Sequence, residues 1–119
     1  MDRVLNVKRE DFVAQAEIMA RLFRGRRAGK AALTFDGQKL KIETPAGGVE
    51  LPAQGYWPGK ASVPLRSLYA VTLTPPAQEI ITFAVVPCHF TVGNLSVPCG
   101  WRENRAGTDG QKPERSEEQ

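Results

Sequence analysis

Apolar residues recur with helical spacing between residues 8 and 24. They lie at i, i+4, i+7, i+8 and i+11 and share one face of a helical wheel: Phe12, Ala16, Met19, Ala20 and Phe23. This spacing predicts an amphipathic helix, because a period of 3.6 residues brings these positions to one side. We expect Asn6 to be its N-cap and Gly25 to end it, and "RVLNV" ahead of it predicts a short first strand.

After residue 30 the period changes to two. In "ALTFDGQKLKIET" apolar and polar residues alternate on both sides of Asp36-Gly37, a dipeptide that favours a tight hairpin turn. "TPAGG" predicts the next turn and "VELPA" the returning strand. "QGYWPG" is expected to be a loop and "KASVP" a short strand, so antiparallel strands should follow the first helix.

A second, shorter helix is predicted over "PLRSLYAVTL", beginning after Pro64 and stopped by Pro75-Pro76. Its core-facing residues are expected to be Leu65, Leu68, Tyr69 and Leu73. Three strands follow, "EIITFAV", "HFTV" and "LSVPCGW", the last two joined at Gly93-Asn94. The predicted order is therefore β-α-βββ-α-βββ, an α+β fold with two helices on one face of antiparallel sheet.

The strand "LSVPCGW" contains a proline, which cannot donate to a sheet ladder. Pro98 therefore predicts an edge strand, or a position where its nitrogen is not needed for pairing. Cys99 and Trp101 share the parity of Leu95 and Val97. We expect these residues to form apolar cover at the end of the sheet.

The end of the chain has a different composition. Residues 102–119 contain one apolar residue, Ala106, among charges, Gly, Ser and Pro, so they predict a polar, disordered tail. Residues 1–101 are expected to form one domain. The chain shows neither the apolar region of a signal peptide nor an apolar run long enough for a membrane span, so we expect a cytoplasmic protein with no membrane partner.

Positive charge is concentrated in the N-terminal quarter. Residues 1–30 hold eight Lys and Arg against four Asp and Glu, although the net charge of the whole chain is only +3. The stretch "RLFRGRRAGK" has five cations and no carboxylate: Arg21, Arg24, Arg26, Arg27 and Lys30. One interpretation is an anion-binding patch. The other is a solvated helix end, where cations favour the negative pole of the helix dipole.

Groups that could carry chemistry do not form a constellation. Cys88 and His89 are consecutive on a predicted strand, so they point to opposite faces, and with Cys99 they are one short of a four-ligand zinc site. A Cys88–Cys99 disulfide is disfavoured in a chain with no secretory signal. The glycines near Lys30 do not fit a phosphate-binding loop, and the carboxylates are scattered. We expect no enzyme activity, no metal site, no cofactor and no small-molecule substrate.

Several strings resemble one domain of the DNA sliding clamps, especially the bacterial DNA polymerase III beta subunit. "LNVKREDF" is similar to the start of a clamp domain, and "LTFDGQKLKIETPAGGVELPAQG" to its central strands. "GKASVPLRSLYAVTLTPP" resembles the strand that enters the second helix, and "EIITFAV…HFTVGNLSVPC" the closing strands. The resemblance covers residues 3 to about 101 and depends on element order and turn placement.

The resemblance implies a ring-forming fold, with sheets outside and helices inside. The helix over residues 8–24 would then face duplex DNA and contact its backbone through Arg21, Arg24, Arg26, Arg27 and Lys30, without base readout. A homo-oligomer through sheet edges is implied as well, because one domain cannot close a ring alone. The alternative is a protein-interaction or assembly module of clamp fold that does not bind nucleic acid.

Overall fold

The computed structural model of the chain describes residues 3–24, 29–86 and 89–103. The described residues form two helices, α1 (Arg9–Phe23) and α2 (Leu65–Leu73). Six strands precede α2: β1 (Arg3–Lys8), β2 (Lys30–Phe35), β3 (Lys39–Thr44), β4 (Gly47–Pro52), β5 (Gln54–Tyr56) and β6 (Gly59–Pro64). Four strands follow it: β7 (Ile80–Val86), β8 (His89–Val92), β9 (Leu95–Pro98) and β10 (Gly100–Glu103).

The strands form two antiparallel sheets of five, and together with the helices they make an α+β fold, as predicted. Sheet A has the order β5-β1-β7-β8-β9, and sheet B has the order β10-β6-β2-β3-β4. The chain divides into two halves, β1–β5 with α1 and β6–β10 with α2. Exchanging corresponding strands of the two halves converts the order of sheet A into that of sheet B. Each half therefore gives two strands to one sheet and three to the other, so neither sheet can form without both halves.

The helices occupy equivalent places in the two halves. They contact each other, α1 also contacts β1 and β4, and α2 also contacts β6 and β9. Each helix therefore touches one strand of sheet A and one of sheet B. Only one side of α1 is buried, through Phe12, Met19 and Phe23, so the predicted amphipathic pattern is confirmed.

The start of α1 differs from the prediction. Asn6 is part of β1, and its Oδ1 accepts a hydrogen bond from Thr82 Oγ1 at 2.8 Å. The N-cap residue is Lys8, which makes no side-chain capping bond. The reason is pairing: β1 stays in register with β7 as far as Lys8 opposite Ile80. The predicted C-terminal Gly25 lies outside the described residues.

The core-facing side of α2 also needs one correction. Leu65 and Leu68 are buried and Tyr69 is partly buried, as expected, but the side chain of Leu73 is 60% exposed. At about 100° per residue, Leu73 points away from the side that buries Leu65 and Leu68. Thr72 is buried instead, and its hydroxyl donates to Leu68 O at 2.8 Å.

Strands β5 and β10 are additions to the predicted order. Gln54–Tyr56, expected in a loop, pairs with β1 as an outer strand of sheet A. The close approach requires Gly55, which has φ +146° and whose added Cβ would overlap Val4 O. Gly100–Glu103 pairs with β6 in sheet B, so the last described strand continues two residues beyond the boundary expected at 101.

The core lies between the inner faces of the two sheets and the helices. On sheet A the ring of Phe83 lies edge-on to Phe12 and to Phe90, with centroid distances of 6.2 and 5.8 Å. On sheet B the buried side chains are mostly aliphatic, including Leu33, Leu40, Ile42 and Leu51. These residues occupy alternate positions along the strands, as the period of two predicted.

The proline of the closing segment marks a change of sheet. Pro98 ends β9, which is the edge strand of sheet A, so its predicted edge position is confirmed. Cys99 follows, and Trp101 lies in β10 of sheet B. The equivalent change in the first half occurs at Pro52 and Ala53, between β4 and β5. The alternate apolar residues from 95 to 101 do pack against the core, as expected. They belong to two sheets rather than to the end of one.

Candidate nucleic-acid interface

The last turn of α1 presents two of the five predicted contact residues to solvent. Arg21 and Arg24 are both exposed. Arg24 is the C-cap residue, with an extended ψ of 134°, and its backbone N–H donates to Ala20 O. Cations near a helix C-terminus are stabilised by the helix dipole. The arginines can therefore be accommodated here and remain accessible to an external anion.

Arg21 has one carboxylate neighbour. Its Nη2 lies 3.9 Å from Glu17 Oε1, and the two side chains are 67% and 87% exposed. An exposed pair at this distance contributes little free energy because water and salt screen it. A phosphate oxygen could therefore replace Glu17 as the partner of Arg21 at little cost.

Lys30 lies on a different element from these arginines. Lys30 is exposed at the first position of β2, opposite Pro64 in β6, and its side chain belongs to the outer face of sheet B. The neighbouring Gly29 O accepts a hydrogen bond from Leu65 N, which joins this strand to the start of α2. Arg26 and Arg27 lie outside the described residues.

The remaining exposed side of α1 is mixed rather than basic. Glu10 and Glu17 lie upstream of the arginines, and Val13 and Ile18 are 43% and 44% exposed. On α2 the exposed cation is Arg66. Among the described residues of the helices, the exposed cations that lie close together in sequence are therefore Arg21 and Arg24 at the end of α1, and Arg66 stands alone on α2.

The outer faces of the two sheets differ strongly in charge. Sheet B carries five cations, Lys30, Lys39, Lys41, Lys60 and Arg102, and two carboxylates, Glu43 and Glu50. Sheet A carries Lys8 and His89 and no carboxylate on its described outer positions. Sequence reasoning missed the cationic face of sheet B. The alternation of residues along each strand indicated which cations face outward. It could not show that they share one face until the neighbours of each strand were known.

The uncharged character of sheet A continues into a groove beside it. The groove has a volume of about 830 Å³ and is bordered by the segment after α2, including Pro75 and Pro76, and by the β8–β9 turn at Gly93. None of its lining residues is charged. Tyr56, Ile80 and Val86 on the same sheet face are 46–49% exposed. This side of the molecule is therefore suited to apolar contacts.

The cysteines and histidine do not assemble into a site in the described part of the chain. His89 is exposed on the outer face of sheet A, opposite Pro98. Cys99 is partly buried against the core, and Cys88 lies outside the described residues, as does the disfavoured Cys88–Cys99 disulfide. No group of three or more His, Cys, Asp or Glu within those residues could hold a metal ion.

Asp36 and Trp57 have structural roles. The Asp36 carboxylate accepts hydrogen bonds from the backbone N–H groups of Lys39 and Gln38, which lower the pKa of Asp36 below its usual value. Trp57 is buried, lies edge-on to Trp101 at 5.3 Å, and donates its Nε1–H to Leu33 O at 3.1 Å.

Comparisons of the chain with protein-family models, with curated proteins and with solved structures give no match. The resemblance to sliding clamps therefore stays a prediction. Within the described residues, neither helix is long and apolar enough to cross a membrane.

Proposed function

We propose that this chain is a non-catalytic, clamp-like module that associates with duplex DNA through the phosphate backbone. The observation that carries the proposal is the pair of exposed arginines on the last turn of α1, directly followed in sequence by "GRRAGK". Arg21, Arg24, Arg26 and Arg27 would contact phosphates. Lys30, exposed at the start of β2, would add a fifth cation to these contacts.

The arrangement of the halves supports this proposal. Two βα halves complete each other's sheets, and their helices contact each other, which is compatible with the arrangement of helices inside and sheets outside that the sliding-clamp resemblance implies. A helix in that position meets the DNA backbone without entering a groove, so binding would not depend on base sequence. Phosphate contacts of this kind position a protein but carry no sequence information.

The size of the cationic surface sets an expectation for affinity. Glu10 and Glu17 confine it to one end of α1, so we expect weak binding by a single copy. Each phosphate neutralised contributes a slope of about −0.9 to log K against log salt concentration. Four arginine contacts would thus give a slope of roughly −3.6 and a steep loss of affinity with salt.

Fluorescence anisotropy with a labelled duplex of random sequence, over a salt series, tests this proposal. The variant Arg24→Gln, Arg26→Gln and Arg27→Gln should lose most of the affinity and flatten the salt slope by about 2–3. The matched control, Lys8→Gln, Lys39→Gln and Lys41→Gln, removes the same charge elsewhere and should retain the slope. Equal losses in both variants, or none in the first, would contradict the proposal.

A second candidate is an assembly module of the same fold that does not bind nucleic acid. It is favoured by the outer face of sheet A, which has no carboxylate among its described residues and exposes Tyr56, Ile80 and Val86. A surface of this composition is more typical of protein contacts than of a free surface. Copies would join through this face together with the sheet edges beside it, where β5 and β9 end sheet A.

Size-exclusion chromatography with light scattering, with and without duplex DNA, separates the two candidates. An assembly module should give a defined oligomer without DNA, and Val86→Glu should dissociate it because a carboxylate would be buried unpaired. Thr34→Glu, which adds the same charge on sheet B, is the control and should leave the oligomer intact. A monomer that is retained on DNA at low salt would favour the first candidate.

A further inference from the structure

The outer face of sheet B has cations that its own carboxylates do not neutralise. Glu50 is shared by two lysines, with Oε1 3.7 Å from Lys39 Nζ and Oε2 3.9 Å from Lys41 Nζ. Glu103 is next to this face, but its carboxylate is ion-paired with Arg3 of β1. In the described part of the chain, Lys60 and Arg102 therefore form no ion pair.

Lys60 and Arg102 are also direct cross-strand neighbours. β6 and β10 pair with Lys60 opposite Arg102 and with Ser62 opposite Gly100. Like charges at directly opposite positions of an antiparallel pair destabilise it. An anion bound between the two side chains would replace this repulsion with attraction, so the pair is arranged for a negatively charged ligand.

The neighbouring positions leave room for such a ligand. Ser62 and Gly100 lie on the same face, two residues from the cations along each strand, and Gly100 has no side chain to cover the Ser62 hydroxyl. A Cβ at Gly100 would lie 4.0 Å from Ser62 Oγ. The resulting depression has a volume of about 260 Å³ and is lined by Lys60, Ser62, Gly100, Trp101 and Arg102.

We propose that this depression is a binding site for a small oxyanion, a phosphate group. Arg102 would donate two parallel hydrogen bonds, because its planar guanidinium matches two oxygens of a phosphate. Lys60 would supply a point charge from the facing strand. The Ser62 hydroxyl would donate one further hydrogen bond to the phosphate. The volume is below the range of sites for larger organic ligands, so the site recognises the phosphate rather than the group attached to it.

The proposal does not depend on DNA binding by α1. Lys60 and Arg102 project from the outer face of sheet B, whereas Arg21 and Arg24 lie at the exposed end of α1. A phosphate site on sheet B would persist if the arginines of α1 contacted nothing. Conversely, DNA binding by α1 would not require Lys60 or Arg102.

Titration of ¹⁵N-labelled protein with inorganic phosphate at constant ionic strength tests the site by NMR. We expect saturable shifts of the Ser62 and Trp101 amides, with a dissociation constant in the millimolar range. In Lys60→Gln with Arg102→Gln, affinity should fall at least tenfold, and in Ser62→Ala about threefold. The control Lys39→Gln with Lys41→Gln has the same charge change on the same face and should stay within twofold.

Two further arms identify the source of the phosphate. Glycerol phosphate should give the same shifts at similar concentration, because the site contacts only the phosphate group. A short DNA duplex that shifts Ser62 while inorganic phosphate does not would overturn the proposal in favour of a polyanion surface. Linear, non-saturating shifts, or equal loss in the control variant, would overturn it as well.

Discussion

Arg3 and Glu103 connect the first and the last described strands, with Arg3 Nη2 2.9 Å from Glu103 Oε1. The guanidinium of Arg3 also lies over the ring of Trp101, 4.9 Å from its centroid. Since β1 belongs to sheet A and β10 to sheet B, this contact joins the two sheets at one end of the molecule. It also explains why β10 continues to Glu103 although its composition is polar.

The variant Arg3→Gln should therefore destabilise the fold. Loss of the cation–π contact alone is worth about 0.5–1 kcal/mol, and the ion pair with Glu103 is lost with it. Urea unfolding followed by circular dichroism measures the change in the free energy of unfolding. Lys8→Gln, an exposed change in the same strand, is the control and should stay within about 0.5 kcal/mol of the parent chain. Equal stabilities of all three proteins would contradict this role of Arg3.

The same contact predicts a pH dependence. The pKa of Glu103 is below its ordinary value of 4.5. The main cause is the hydrogen bond that Arg3 donates to the carboxylate, and the nearby Trp101 side chain is a smaller one. A carboxyl with a lowered pKa stabilises the folded state above its unfolded pKa, and this stabilisation is lost as the pH falls through the folded pKa. The contribution of Glu103 to the free energy of unfolding should thus decline below about pH 4.5. The decline should be less steep in Arg3→Gln.

Unfolding measurements between pH 7 and pH 2, on the parent chain and on Arg3→Gln, check this expectation. Asp36 has a lowered pKa through backbone hydrogen bonds and contributes in the same direction in both proteins. The difference between the two curves therefore isolates the Arg3–Glu103 contact. Parallel curves over this range would show that Arg3 does not control the titration of Glu103.

Local patterns in the sequence predicted the elements well, because helices and hairpins depend on neighbouring residues. The period of 3.6 before Arg24 and the Asp36-Gly37 turn are examples. The division into two sheets could not be predicted, since it depends on β1 pairing with β7 about 80 positions later. The strand at Gln54–Tyr56 was missed because three residues around a glycine show no alternation.

The candidate sites show the same difference between local patterns, which the sequence reveals, and long-range pairing, which it does not. The arginines of α1 could be found from composition, because "RLFRGRRAGK" is a local cluster. Lys60 and Arg102 are 42 positions apart in the sequence, and only the register of β6 with β10 makes them neighbours. Lys30 was grouped with the arginines by proximity in sequence, but strand parity turns it to the outer face of sheet B.

Trp57 carries a hydrogen bond that a smaller aromatic residue cannot make. Its Nε1–H donates to Leu33 O in the buried layer between the sheets. Trp57→Phe should lower the free energy of unfolding by about 1 kcal/mol, because the buried hydrogen bond to Leu33 O is lost. The exposed neighbour offers a control, since Tyr56→Phe removes a hydroxyl in solvent and should be nearly neutral. Comparable losses in both variants would assign the effect to something other than this bond.

Phe83 lies between two aromatic rings, so its removal should leave a cavity that neighbours fill poorly. Phe83→Ala is expected to cost about 3–5 kcal/mol, and Phe83→Leu less, since it preserves most of the volume. Val86→Ala, on the exposed side of the same strand, should cost under about 0.5 kcal/mol. Chemical unfolding of the three variants measures these differences. A small loss in Phe83→Ala would mean that sheet A does not depend on this cluster.

Pro98 should protect the edge of sheet A from pairing with other chains. The two-residue loop Gly93-Asn94 closes on the pair Val92–Leu95, and hydrogen-bonded pairs alternate along an antiparallel ladder. Leu95 and Val97 are then hydrogen-bonded to β8, and the nitrogen of Pro98 faces away from β8 at the free edge of the sheet. A residue with an N–H at this position would offer a donor to another chain. Pro98→Thr should therefore increase self-association with rising concentration, as measured by sedimentation velocity. Pro75→Thr, outside any strand, is the control, and an equal increase there would show that the free edge of β9 is not the cause.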